Sequence, residues 1–68
     1  MDNKWQPVYL SNQLHTVEIV RAILLDHDIE SHIVDKRDSS YISIGDIEVY
    51  VKNEDAILAK IIIEENIH

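Results

Sequence analysis

The sequence predicts an α+β domain: a three-stranded sheet with two helices on one face, in the order β-α-β-β-α. Three observations carry this. The stretches Ile29 to Asp35 and Ile47 to Lys52 alternate with the period of two that turns one side of a strand inward. Leu14 to Leu25 and Asn53 to about Glu65 repeat apolar residues at helical spacing. The third is composition. The 68 residues are 46% hydrophobic and 28% charged, with one glycine and one proline, which suits a globular chain with a single core.

In chain order, Trp5 to Leu10 reads as the first strand, with Val8 and Leu10 alternating against Pro7 and Tyr9. Ser11 and Asn12 are favourable N-cap residues for the helix that follows. Its apolar positions Val17, Val20, Ile23 and Leu24 share one face, and Glu18 and Arg21 turn outward. Asp26-His27-Asp28 closes this helix without a glycine; aspartate tolerates the left-handed backbone better than most residues, and Asp28 is expected to adopt it. In the second strand Ile29, Ser31 and Ile33 lie on one face and Glu30, His32 and Val34 on the other. Turn-forming residues fill Lys36-Arg37-Asp38-Ser39-Ser40, and Gly45-Asp46 marks a second turn before the third strand, Ile47 to Lys52. Asn53 is expected to cap the last helix. Glu54 and Asp55 follow in its first turn, where the helix dipole favours acids, and Leu58, Ala59, Ile62 and Ile63 form its buried stripe. No repeat, linker or low-complexity segment divides the chain, so residues 1–68 are expected to form one domain with an ordered core over about 4–65.

A helix of this length suits a right-handed crossover between parallel strands. In the split β-α-β pattern the third strand then lies between the first and second, and the first is left at an edge. Pro7 agrees with an edge, where its missing N–H breaks no ladder.

Composition excludes several classes of function. A net charge of −7, from 13 acidic and 6 basic residues, opposes binding to nucleic acid or an anionic membrane. The polar start Met1-Asp2-Asn3-Lys4-Trp5 is unlike a secretory leader, and the run Ile61-Ile62-Ile63 is too short to span a bilayer, so a cytoplasmic location is expected. Without cysteine there is neither a disulfide nor a thiolate metal site. His15, His27, His32 and His68 show no spacing that would converge two ligands, so no metal or other cofactor is expected. Ser39 and Ser40 have no histidine nearby, the carboxylates are scattered, and one glycine cannot build a phosphate-cradling loop. The expectation is that the protein is not an enzyme.

Trp5-Gln6-Pro7-Val8-Tyr9, the first helix, Ile29-Glu30-Ser31, Asp38-Ser39-Ser40-Tyr41 and Ile47-Glu48-Val49-Tyr50-Val51 together resemble a family of small bacterial domains described as "putative prokaryotic signal-transducing protein". The resemblance covers about Lys4 to Glu65 and is one of pattern more than of signature. It implies a fold similar to the nitrogen-regulatory PII proteins, ferredoxin-like but lacking the last strand, and a role in signalling. It brings no activity, ligand or catalytic residue. Many members have glycine where Asp28 stands, which bears on the geometry of that turn. Tyr41 falls in the segment that corresponds to the regulatory loop of PII proteins, but Lys36 to Asp46 is much shorter than that loop, so nucleotide binding is not expected.

Two candidate sites follow from the residues themselves. Lys36, Arg37, Asp38, Ser39, Ser40 and Tyr41 gather two of the six basic residues beside hydroxyls on an acidic chain, a composition able to receive a small anionic ligand or a partner's acidic group. The competing reading is a solvated turn whose side chains satisfy local backbone groups. The second site is a face. If Val8, Leu10, Ile29, Ile33, Val49 and Val51 point to the helices, alternation puts Trp5, Pro7, Tyr9, His32, Val34 and Tyr50 on the opposite, open side of the sheet. Exposed aromatic patches mark protein interfaces, unless loops or the tail cover them.

The expected function is therefore a non-catalytic binding or regulatory module. Its partner is a protein, or a second copy forming a homodimer through this face or the bare edge of the first strand. The rival is a small-molecule-binding protein, or minor enzyme, whose site forms at a dimer interface.

Overall fold

The structure, a computed structural model, describes residues 4–36 and 46–67. Strand β1 is Trp5–Ser11, helix α1 Leu14–Asp26, strand β2 Ser31–Asp35 and strand β3 Ile47–Lys52. A 3-10 turn, Asn53–Asp55, leads into helix α2, Ala56–Asn66. The strand order is β1-β3-β2, with both outer strands antiparallel to β3. β1 and β2 are thus parallel to one another and joined by α1, the crossover that the sequence order implied.

One side of the sheet carries the core. Ile47, Val49 and Val51 of β3 are fully buried, as are Val17, Val20 and Leu24 of α1 and Ala59 of α2. β3 alternates strictly between buried and half-buried residues, because each odd position faces the helices. α2 meets the sheet through Ala56, Ala59, Ile62 and Ile63, and the two alanines let its backbone approach closely. Leu58, expected in that stripe, is 52% exposed, and Ala56 takes the inward position in its place. Nearly every residue from Ala56 to Ile63 is apolar, so periodicity does not single out one face there.

The end of α1 is a Schellman motif. The N–H of Asp28 donates to the Leu25 carbonyl, the N–H of Ile29 donates to that of Leu24, and Asp28 has φ 62°. Leu24 and Ile29, which flank the turn, are both buried, which supplies the hydrophobic contact that accompanies this cap. His27 Nδ1 lies 2.9 Å from the Ile23 carbonyl; a carbonyl only accepts, so the ring proton is on Nδ1. Asp28→Gly is expected to stabilise the fold by about 0.5 kcal/mol, because relief of the left-handed conformation exceeds the added unfolded-state entropy. Asp28→Val is expected to cost about 1–2 kcal/mol. Thermal unfolding of the two variants checks the sign of each.

The N-terminal ends of both helices differ from the sequence reading. Position Gln13, not Ser11 or Asn12, precedes α1, and its side chain makes no capping bond; Ser11 Oγ instead accepts from the Gln13 N–H at 3.1 Å. Asn53 does not cap α2. Its side-chain oxygen accepts from Gln6 Nε2 at 3.0 Å and its N–H donates to the Lys4 carbonyl at 2.7 Å, so it ties the end of β3 to the start of β1 while the chain makes a 3-10 turn.

Candidate functional site

The face of the sheet opposite the helices is built by alternation, with one correction. A β-bulge at Val8 shifts the pairing of β1, so that Pro7 faces Tyr50, Tyr9 faces Val49 and Leu10 faces Glu48. An extra residue reverses which side chains point inward beyond it. Tyr9, expected on the open face, therefore packs against the core, and Leu10, expected in the core, is 54% exposed on the open face. Trp5, Pro7, His32, Val34 and Tyr50 lie where alternation put them, on the side away from Val49 and Val51.

Three rows cross this face. Leu10, Glu48 and Val34 form one, through the pairs Leu10 to Glu48 and Val34 to Glu48. Pro7, Tyr50 and His32 form the next, and Trp5 pairs with Lys52 in the third. The rings of Trp5 and His32, from the two outer strands, meet above β3 with centroids 4.5 Å apart in an edge-to-face arrangement. The surface is apolar and aromatic, with Leu10 and Val34 as its exposed aliphatic members.

Among the described residues, two ion pairs border it. Lys36 Nζ lies 2.9 Å from Glu48 Oε1, the Tyr50 hydroxyl donates to the same carboxylate at 3.1 Å, and Lys52 Nζ lies 3.6 Å from Glu30. The hydrogen bond to Glu48, and then its charge, holds the Lys36 ammonium above the ordinary lysine range. The Tyr50 phenol is raised first by its hydrogen bond to Glu48, then by desolvation and the carboxylate's charge. Both groups keep their protons more tightly in the folded state. Their contribution is complete below the ordinary value of 10.0 for tyrosine and 10.5 for lysine, and is lost as pH rises through the folded values. In an alkaline absorbance titration, the Tyr50 phenolate is expected to form at higher pH than in Glu48→Ala, where the hydrogen bond and the carboxylate's charge are gone.

Of the loop candidates, Lys36 is the one the structure describes, and its ammonium is engaged by Glu48; Arg37, Asp38, Ser39, Ser40 and Tyr41 lie outside the described residues. Sequence reasoning missed a basin of about 410 Å³ at one end of the sheet, lined by Lys4, Trp5, Lys52, Asn53 and Glu54. Asn53, tied to β1 through Lys4 and Gln6, is part of its wall, and no sequence spacing foretells that tie. Among the described residues, no three His, Asp or Glu side chains gather as metal ligands, and no helix is long and apolar enough to cross a membrane.

No curated protein and no solved structure matches the chain. A family match does, over residues 5–67, which takes in every strand and helix. The β-α-β-β-α chain thus belongs to the family described as "Putative prokaryotic signal transducing protein".

Proposed function

We propose that this domain is a non-catalytic binding or regulatory module in cytoplasmic signalling, and that it works through protein contacts at the open face of the sheet, with a second copy of the chain as its partner. The observation that carries this reading is the one-sided burial of the sheet: Val49 and Val51 are fully enclosed, whereas Leu10 and Val34 on the other side are 54% and 38% exposed beside Trp5 and Tyr50. Two ammonium groups and two carboxylates border the face in pairs, so two copies can meet there without bringing an excess of like charge together. Face-to-face packing of two sheets is a common way to cover such a surface. The outer edge of β1 suits pairing less well, since Pro7 and the bulge at Val8 interrupt its backbone ladder.

Light scattering coupled to gel filtration over a concentration series tests the assembly. The mass is expected to rise toward that of a dimer, and to do so more readily at high salt, because each copy carries a charge of −7 and salt screens their repulsion. A monomer mass at every concentration and salt would rule out the second copy as the partner.

The basin beside Trp5 favours a second reading, a small-molecule-binding protein. An indole wall beside Lys4, Lys52, Asn53 and Glu54 suits a planar ligand that carries polar groups. Trp5 is the chain's single tryptophan, so saturable quenching of its fluorescence by such a molecule would favour this reading.

A further inference from the structure

Among the described residues, the helix layer has an uncovered apolar surface of its own. Ile57, Leu58 and Ile61 of α2 are 77%, 52% and 48% exposed. Their spacing places them in one stripe, opposite the stripe of Ala56, Ala59 and Ile63 that meets the core. A lone exposed isoleucine is ordinary, but three large aliphatic residues on one helix face form a contiguous patch. The charges around this stripe are not balanced as on the sheet. Glu54 lies one turn before it, Glu64 and Glu65 lie one turn beyond Ile61, and all three are exposed. Lys60 is the one basic residue of α2.

We infer that the outer face of α2 docks a basic amphipathic helix of a partner protein. The stripe supplies an apolar seam for helix-on-helix packing, and the glutamates at its two ends attract Lys and Arg flanking the partner's apolar residues. A second copy fits poorly. Antiparallel pairing along the stripe brings Glu54 of one copy to Glu64 and Glu65 of the other, and parallel pairing sets each glutamate against its equivalent. An anionic lipid surface meets the same acidic rim and is repelled. The stripe and the open sheet face lie on opposite sides of the molecule, because both helices cover the other side of the sheet. A copy on the sheet face and a basic helix on α2 can therefore be held at once, which is the geometry of a bridging component.

The test uses the full chain and two synthetic peptides with the same leucine pattern at i, i+3, i+4 and i+7, one flanked by Lys and Arg and the other by Glu. Titration calorimetry measures binding, and amide chemical shifts locate it. The basic peptide is expected to bind, to shift Ile57, Leu58 and Ile61, and to weaken as salt is raised. Ile57→Ser with Ile61→Ser, both surface changes, is expected to weaken it by roughly tenfold or more. Glu64→Lys with Glu65→Lys, which leaves the stripe intact, is expected to weaken the basic peptide by about tenfold and to improve the acidic one. The amide spectrum of each variant confirms its fold. Four results would overturn the inference: no binding of the basic peptide, equal binding of both peptides, shifts confined to the sheet face, or binding of phosphatidylserine vesicles that the isoleucine substitutions abolish. Loss of self-association in the isoleucine variant would also overturn it, by assigning α2 to a second copy.

Discussion

Leu24→Ala is expected to lower the stability of the domain by about 3 kcal/mol. Leu24 is fully buried, packs among Val17, Val20 and the sheet, and also closes the Schellman turn through its carbonyl. Truncation removes transfer free energy and leaves a cavity that a short helix held at both ends cannot collapse. A chain of this length has roughly 3–10 kcal/mol of stability in all, so the change removes a third or more of it. Leu25→Ala, one residue on, is the control. Leu25 is 67% exposed, and its loss is expected to stay within about 0.5 kcal/mol. Urea denaturation separates the two: the Leu24→Ala midpoint falls far below that of Leu25→Ala, with the slope unchanged.

The second large effect is on assembly. Leu10→Lys with Val34→Lys is expected to weaken self-association by roughly a hundredfold or more, because two apolar contacts are lost and two ammonium groups are driven toward a dry interface. The fold is expected to tolerate the change. Leu10, Glu48 and Val34 lie in one row across the sheet, so the new lysines flank a carboxylate and add favourable cross-strand pairs to the monomer. Light scattering compares the mass of the variant with that of the native chain, and far-ultraviolet circular dichroism reads the retained fold. A variant that dimerises as the native chain does would remove the sheet face from the interface.

Much of the architecture was legible because β2 and β3 follow a strict period of two. Ile29, Ser31, Ile47, Val49 and Val51 all point inward as alternation requires, even though Ser31 Oγ finds no hydrogen-bond partner among the described residues. Asp28 was legible too: with no glycine available, few residues could take the left-handed position, and it does.

The bulge was not legible, and it decided two members of the candidate site. Pro7 signalled an edge strand, but proline is admitted at bulges as well as at edges, and a one-residue insertion leaves no mark in the alternation of Val8, Tyr9 and Leu10. The exposed stripe of α2 was hidden for a different reason. Where almost every position is apolar, hydropathy does not mark the buried face: Ala56, Ala59, Ile62 and Ile63 take it, and Ile57, Leu58 and Ile61 are left outside. The capping role expected of Asn53 failed because Gln6, distant in sequence, claims its side chain.

Isotope-filtered nuclear Overhauser spectroscopy on a mixture of labelled and unlabelled protein tests whether the uncovered face of the sheet is where a second copy binds. Contacts between copies are expected from Trp5, Pro7, Leu10, Val34 and Tyr50 to the same residues of the second copy. Contacts confined to α2 or to the outer edge of β1, or none between copies at concentrations where the mass is that of a dimer, would contradict it.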